Sequence, residues 1–258
     1  IGNSEFSETI VNSTLNLMKS RGPNSQDFFK TKISHKHLFF LHSRLSIIDL
    51  DQRSNQPMRK DDCTIIFNGE IYNYLEIRNK LTKSGHHFLT NSDTEVILEA
   101  YKEFGENCVN LFEGMWSFSI YDKKKGIIFI SRDRFGEKPL YYFHEKNFFC
   151  FGSEVKFILK FLNIYPNINY EKIKKFLVCG FRTLFKDRES FFSNIKELEP
   201  SCNLVLNTKN EIEINKYWKI NYSSVKIPES EIYQETKRLL NRSMLLRMRA
   251  DVPVAFCL

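Results

Sequence analysis

Two hydrophobic periodicities alternate along the 258-residue chain. Val11, Leu15 and Met18 fall at i, i+4 and i+7, one face of a helix, and Gly22-Pro23 supply its stop. Tyr74, Ile77 and Leu81 mark a second helix closed by Gly85. Ile97, Ala100, Tyr101 and Phe104 mark a third, with Gly105 behind it and the capping-box sequence Ser92-Asp93-Thr94-Glu95 in front. Between the helices lie short strand-like runs at Leu38–Leu41, Arg44–Ile48 and Thr64–Phe67, the last ending at Asn68-Gly69. Trp116, Phe118 and Ile120 alternate with Ser117 and Ser119 as a half-buried strand, which returns through Asp122–Gly126 into Ile127–Ile130. Leu140–Phe143 against Phe148–Phe151 reads as a second hairpin. Short strands paired locally, with few helices, predict an antiparallel α+β domain rather than a parallel nucleotide-binding sheet.

The pattern changes near residue 223. Ile232, Leu239, Leu240 and Leu246 predict an amphipathic helix over 229–248, and Asp251–Leu258 reads as a short apolar strand of the kind buried in a parallel sheet. A helix followed by such a strand is the opening of an α/β unit, and a lone buried strand leaves its backbone groups unpaired. The chain, which also starts at Ile1 rather than Met, therefore reads as part of a longer protein, with domains expected at 1–222 and 223–258.

Composition narrows the function classes. With 42% hydrophobic and 27% charged residues the chain can build a core and is not a disordered tail. The 38 basic and 31 acidic residues leave a formal charge of +7. Lysine is dispersed, which reads as a solvated surface and predicts no nucleic-acid partner. No apolar run approaches the ~18 residues of a membrane span. The six cysteines contain no C-x-x-C pair, which argues against a zinc site and a disulfide framework and suggests a reducing, cytoplasmic setting. Neither common glycine-rich phosphate loop is present.

Three places carry polar groups beyond what a scaffold needs. Arg44 can grip a carboxylate with its guanidinium fork or pair with Asp49 as a surface residue. Asn68-Gly69-Glu70 follows an apolar strand. The Gly69 N–H and the Asn68 amide can converge as an oxyanion hole, and the same tripeptide also suits a turn. If Ser92 takes the helix cap, Asp93 and Glu70 are free to hold an ammonium group. Strand alternation puts His35 and His37 on one face, with no carboxylate partner specified.

The order of the segments says more than any one of them. Arg21-Gly22-Pro23, Arg44-Leu45-Ser46-Ile47-Ile48-Asp49-Leu50, Asn55-Gln56-Pro57-Met58, Phe67-Asn68-Gly69-Glu70-Ile71-Tyr72-Asn73, Ser92-Asp93-Thr94-Glu95-Val96 and the run from Arg132 to Tyr142 together resemble the glutamine-hydrolysing asparagine synthetases. The resemblance extends to Asp251-Val252-Pro253. His42-Ser43-Arg44-Leu45-Ser46-Ile47 differs from the H-T-R-W-A-T stretch of the sugar-phosphate and purine amidotransferases.

The resemblance implies an N-terminal-nucleophile glutaminase sandwich (α/β/β/α, antiparallel sheets), followed by the first helix and strand of an α/β synthetase domain. It implies glutamine as substrate, with Arg44 on its α-carboxylate and Leu45, Ser46, Ile47 and Ile48 lining the site. Asn68 and Gly69 match the oxyanion-hole positions, and Glu70 and Asp93 match the ammonium-binding ones. The nucleophile expected by resemblance is an N-terminal cysteine, absent from the sequence that begins at Ile1, so this polypeptide alone is expected to be inactive. ATP and Mg2+ are expected beyond Leu258, which at most touches the adenine side, with aspartate as the second substrate and no metal site before that point. A homodimer is compatible with the family. Other carboxylates as acceptor, and a non-catalytic scaffold, are the competing readings. Asn24 stands where the family has Asp, and Ser201-Cys202 replace a Pro-Gly-like turn.

Overall fold

The computed structural model describes residues 1–2, 6–146, 148–181, 187, 189–223 and 228–255. Among these the elements are α1 (Glu8–Met18), β1 (Ser25–Ile33), β2 (Lys36–Arg44), β3 (Met58–Lys60), β4 (Cys63–Ile71), α2 (Tyr74–Lys83), α3 (Asp93–Phe104), β5 (Gly114–Asp122) and β6 (Ile127–Arg132). They continue as β7 (Tyr141–Glu145), β8 (Phe148–Gly152), α4 (Val155–Leu162), α5 (Tyr170–Cys179), β9 (Ile195–Glu197), β10 (Cys202–Leu206), β11 (Ile212–Lys216) and α6 (Glu229–Arg247).

One sheet runs β11-β10-β6-β5-β4-β3, with every pairing antiparallel. The other combines the hairpin β1-β2 with β8-β7-β9. Gly2 joins those two pieces, bridging His37 of β2 on one side and Phe148 of β8 on the other. A Cβ on Gly2 would lie 2.3 Å from the Phe148 ring, so only glycine lets the first residues thread between the strands.

Three apolar clusters define the layers. Ile65, Phe67, Trp116, Phe118 and Ile120 of the six-stranded sheet pack under Val96, Ile97 and Tyr101 of α3 and Ile77 and Leu81 of α2. Leu38 and Phe40 meet Tyr121, Ile128, Ile130 and Leu204 between the sheets. Phe143 and Ile195 pack against Ile158 of α4 on the far side. The order is helix, sheet, sheet, helix, the α/β/β/α sandwich expected. Among the described residues no helix is long and apolar enough to cross a membrane.

Several local expectations need correction. The predicted strand Arg44–Ile48 ends at Arg44, because the next residues turn away to wrap its guanidinium. The strand expected to stop at Asn68-Gly69 continues to Ile71, so Asn-Gly is strand here and not turn. Gly69 sits at φ +155° opposite Trp116, where a Cβ would lie 2.1 Å from the Met115 carbonyl oxygen. His35 lies in the β1–β2 turn, off the strand that carries His37. Ser117 and Ser119 are buried, since β5 is covered by helices on one face and by the second sheet on the other. The capping box is half made: Ser92 Oγ accepts from the Glu95 N–H at 3.2 Å, while the Glu95 carboxylate turns to Leu89, Thr90 and Lys60. Residues 251–255 form no strand, and 256–258, with Leu258, lie outside the described residues.

The predicted helix over 229–248 is α6, but its apolar stripe is mostly open. Leu246 is buried, whereas Ile232, Leu239 and Leu240 are exposed. Only the last turns touch the body, through Arg242 on Glu113 and Arg249 on Glu76. Strands β1, β3 and β9–β11 and helices α4 and α5 were not legible in the periodicity. The short, mixed-polarity strands among them owe their place to neighbours on both sides rather than to their own alternation.

Candidate active site

A cavity of about 320 Å³ opens where β2, β4 and the start of α3 meet the N-terminal residues. Arg44, Leu45, Ile47, Ile48, Asn68, Gly69, Glu70 and Asp93 all line it. Ser46 does not, because its N–H turns outward to the Asn24 side chain at 3.0 Å. Asn24, whose own N–H donates to the Arg44 carbonyl at 3.0 Å, therefore ties both ends of the turn that presents Arg44.

The period-two geometry of β4 places Asn68 and Glu70 on the cavity side, while Ile65, Phe67 and Ile71 enter the helical core. One Asn68 amide hydrogen reaches Ser153 Oγ at 3.3 Å, and a primary amide has a second to offer. Asp93 is the first residue of α3. With Ser92 as cap, its carboxylate faces the cavity while accepting the Ile71 N–H at 3.0 Å and backbone N–H groups of the helix start. It is 5% exposed, and burial pushes its pKa up to about 7, with Glu70 beside it acting in the same direction. Burial also raises the Glu70 pKa, against the pull of Lys138. Two carboxylates that resist ionisation thus share one cavity, where a cation would favour their charged forms.

Arg44 is 6% exposed, so it is not a surface partner of Asp49. Its Nη1 donates to the Asp51 carbonyl at 3.0 Å and to Asn55 Oδ1 at 2.9 Å. Its Nη2 donates to the Ile48 carbonyl at 3.2 Å and to the Asp49 carbonyl. All four terminal N–H groups hold the loop, and no described residue takes the Nε–H. Arg44 thus contributes its positive charge and one free donor edge to the cavity while fastening Ile47 and Ile48 around it.

Sequence reading missed four neighbours. His42 Nε2 donates to the Phe67 carbonyl at 3.1 Å, and burial pulls its pKa down to about 4, so the ring is neutral. Lys138 reaches the cavity from a loop that Asp133 organises by accepting the Phe135, Glu137 and Lys138 N–H groups at 3.0, 2.9 and 3.0 Å. The Ile1 amino group donates to the Phe149 carbonyl at 2.7 Å, and burial pushes it down to about 6. Cys150 lies beside it, its thiol raised to about 11 by the same burial. Lys138 and His42 had a signal, as parts of the segments running from Arg132 and from His42 to Ile47. Among the described residues no group of three His, Cys, Asp or Glu side chains is placed to hold a metal.

Two antiparallel sheets between helical layers, with the N-terminal residues threaded into the sheet beside a charged cavity, define the fold of the N-terminal-nucleophile glutamine amidotransferases. The chain superposes on glutamine phosphoribosylpyrophosphate amidotransferase of Bacillus subtilis with a TM-score of 0.58 at 17% identity, over 83% of this chain and 47% of that one. It superposes on an allosteric regulatory enzyme of purine biosynthesis with a TM-score of 0.56, also at 17% identity, over 82% of this chain and 47% of that one.

The glutamine amidotransferase domain family matches residues 1–218, and the chain belongs to it. A putative glutamine-hydrolysing asparagine synthetase of Methanocaldococcus jannaschii is 37% identical over 96% of this chain and 52% of the relative. Asparagine synthetase 1 of Bacillus subtilis is 32% identical over 96% of this chain and 38% of the relative. An amidase, chry2, of Gibberella zeae is 28% identical over 95% and 36%. The chain spans about half the length of these relatives or less.

Proposed function

We propose that the cavity binds L-glutamine and that the domain releases ammonia from its side-chain amide for the synthesis of asparagine in a longer protein. The observation that carries this reading is the juxtaposition of opposite charges. Arg44, a cation for a carboxylate, lines the same cavity as Asp93 and Glu70, which suit an ammonium, and Asp93 lies close enough to act on the Arg44 charge. An α-amino acid carries that charge pair. Asn68 and Gly69 line the same cavity; in this reading they receive the amide oxygen of a bound glutamine as it gains negative charge under thiol attack, and two donors there stabilise the tetrahedral intermediate. The thiol is supplied by a cysteine N-terminal to the threaded segment, with its α-amino group taking the proton. Residues 1–222 form the glutaminase unit, and 223–258 open a second domain.

In that second domain, ATP with Mg2+ would activate the aspartate carboxylate by adenylation with release of pyrophosphate, and ammonia would displace AMP to give asparagine. The asparagine synthetases among the relatives support aspartate as acceptor. The alternative is another carboxylate as acceptor, since the acceptor would be bound outside the glutamine cavity.

The test uses the longer protein with Arg44→Ala and Asp93→Asn. Both are expected to impair glutamine-dependent synthesis and to spare synthesis from free ammonia, because each leaves one charge of the amino acid unpaired, at ~2–5 kcal/mol for a buried pair. Equal loss of both activities would show that the two residues serve the fold alone.

A further inference from the structure

The segment after α6 is fastened to the loop that surrounds Arg44. Asp251 Oδ2 accepts the Asp49 N–H at 2.7 Å, and the Asp251 N–H donates to the Ile47 carbonyl at 2.9 Å. The helix is brought there by two forked ion pairs. Arg242 holds both Glu113 oxygens at 2.6 and 2.7 Å, and Arg249 holds both Glu76 oxygens at 2.6 Å. Arg249 also donates to the Tyr72 carbonyl at 2.8 Å, one residue beyond β4.

Asp49, on the receiving side, is strained. Its φ of +54° is a left-handed conformation that costs a non-glycine residue energy and persists only where surroundings impose it. Its carbonyl is held by Arg44. Its carboxylate takes hydrogen bonds from Ser54 Oγ at 2.7 Å, Asn91 N at 2.6 Å and Asp51 N at 3.1 Å. Its N–H is held by Asp251. The neighbours Ile47 and Ile48 line the cavity, and two of the four carbonyl and amide oxygens that grip Arg44 belong to Ile48 and Asp49.

We propose that Asp251 is a positioning residue for the amino-acid site, coupling the seating of α6 to the order of the Ile47–Asp49 loop and hence to Arg44. The proposal rests on the reading of the cavity as a glutamine site. Asp251 does not touch the cavity. It acts by completing the set of bonds that keeps Asp49 left-handed. Without it the loop samples other conformations, Arg44 loses two of its acceptors, and apparent affinity falls by the fraction of time the loop is competent. The coupling is reciprocal: an amino acid bound at Arg44 tightens the seat of α6 by the same factor.

The experiment is calorimetric titration of the 258-residue chain with L-glutamine, with amide hydrogen exchange at Asp49, for the wild type, Asp251→Ala and Asp251→Asn. Arg238→Ala, which removes an exposed pair with Glu235 on α6, is the control. Asp251→Ala is expected to weaken L-glutamine binding about tenfold and to speed Asp49 exchange by a similar factor. Asp251→Asn, whose amide oxygen still accepts the Asp49 N–H, and Arg238→Ala are expected to stay within about twofold of wild type. If Asp251→Ala does not fold, Arg249→Ala, which releases the anchor at Glu76 and leaves Asp251 in place, must show the same two changes. Wild-type affinity, or unchanged Asp49 protection in the variant, overturns the proposal. A wild-type chain that binds no L-glutamine removes the reading of the cavity, and Asp49 exchange alone then decides the clamp.

Discussion

The protonation of Asp93 gives the most direct test of the cavity. Its carboxylate is buried beside Glu70 and titrates at about 7 in the empty site. Only the ionised form pairs with an ammonium, so binding of an α-amino acid selects it and releases a proton. The ionised fraction is about 90% at pH 8 and about 1% at pH 5. Affinity for L-glutamine is therefore expected to fall about a hundredfold over that range, or about 2.7 kcal/mol at 1.36 kcal/mol per pKa unit. About half a proton should be released per ligand near pH 7. Of the groups facing the site, Arg44 stays charged, and His42, pulled down to about 4, stays neutral across the range. Glu70 is raised in the same sense as Asp93, and Lys138 opposes it.

Asp93→Asn separates these contributions. Calorimetry at several pH values, in buffers of different ionisation enthalpy, counts the protons. Affinity that is flat between pH 5 and pH 8, or a slope that survives Asp93→Asn unchanged, would refute the assignment. The same shift has a stability consequence of opposite sign. The folded chain holds the Asp93 proton more tightly than the unfolded chain does, so stability falls as pH rises from the ordinary carboxylate range towards 7. Bound L-glutamine should restore it.

Gly69→Ala should destabilise the fold by about 2–5 kcal/mol in urea titration, since the new methyl meets the Met115 carbonyl at 2.1 Å and the backbone φ is unfavourable to it; a cost below 1 kcal/mol would disprove the close approach. His86 is raised by its hydrogen bond to Glu99, with burial opposing and Glu103 assisting, so its stabilisation is complete below the ordinary imidazole range and fades as pH rises through its folded pKa. Melting temperatures of the wild type and His86→Ala should thus converge at alkaline pH, and a constant gap would contradict the pairing.

What the chain's order of residues determined by itself was considerable. Helical spacing at Val11–Met18, Tyr74–Leu81 and Ile97–Phe104 reproduced α1, α2 and α3, because each buries one stripe against a sheet and the stripe is local information. The two hairpins at Asp122–Gly126 and after Tyr141 were legible for the same reason: turn chemistry and alternation lie within a dozen residues. Eight of the nine residues matched to glutamine binding by resemblance line one cavity, from Arg44 to Asp93, with Ser46 the exception.

Tertiary structure decided the rest. Whether Asn68-Gly69 turns or continues as strand depends on Met115 and Trp116, nearly fifty residues away, which approach too closely for any side chain but hydrogen. Ser117 and Ser119 look solvent-facing in their alternation, yet a second sheet covers them. Arg44 is neither a surface partner of the Asp49 carboxylate nor a bare fork, because the chain returns to give it four oxygen acceptors. The bond between Asp251 and Asp49 joins residues 202 positions apart. Local patterns encode which face of an element is apolar, but the partner of a buried polar group is chosen by the packing of distant elements, where leaving it unpaired costs more than any propensity supplies.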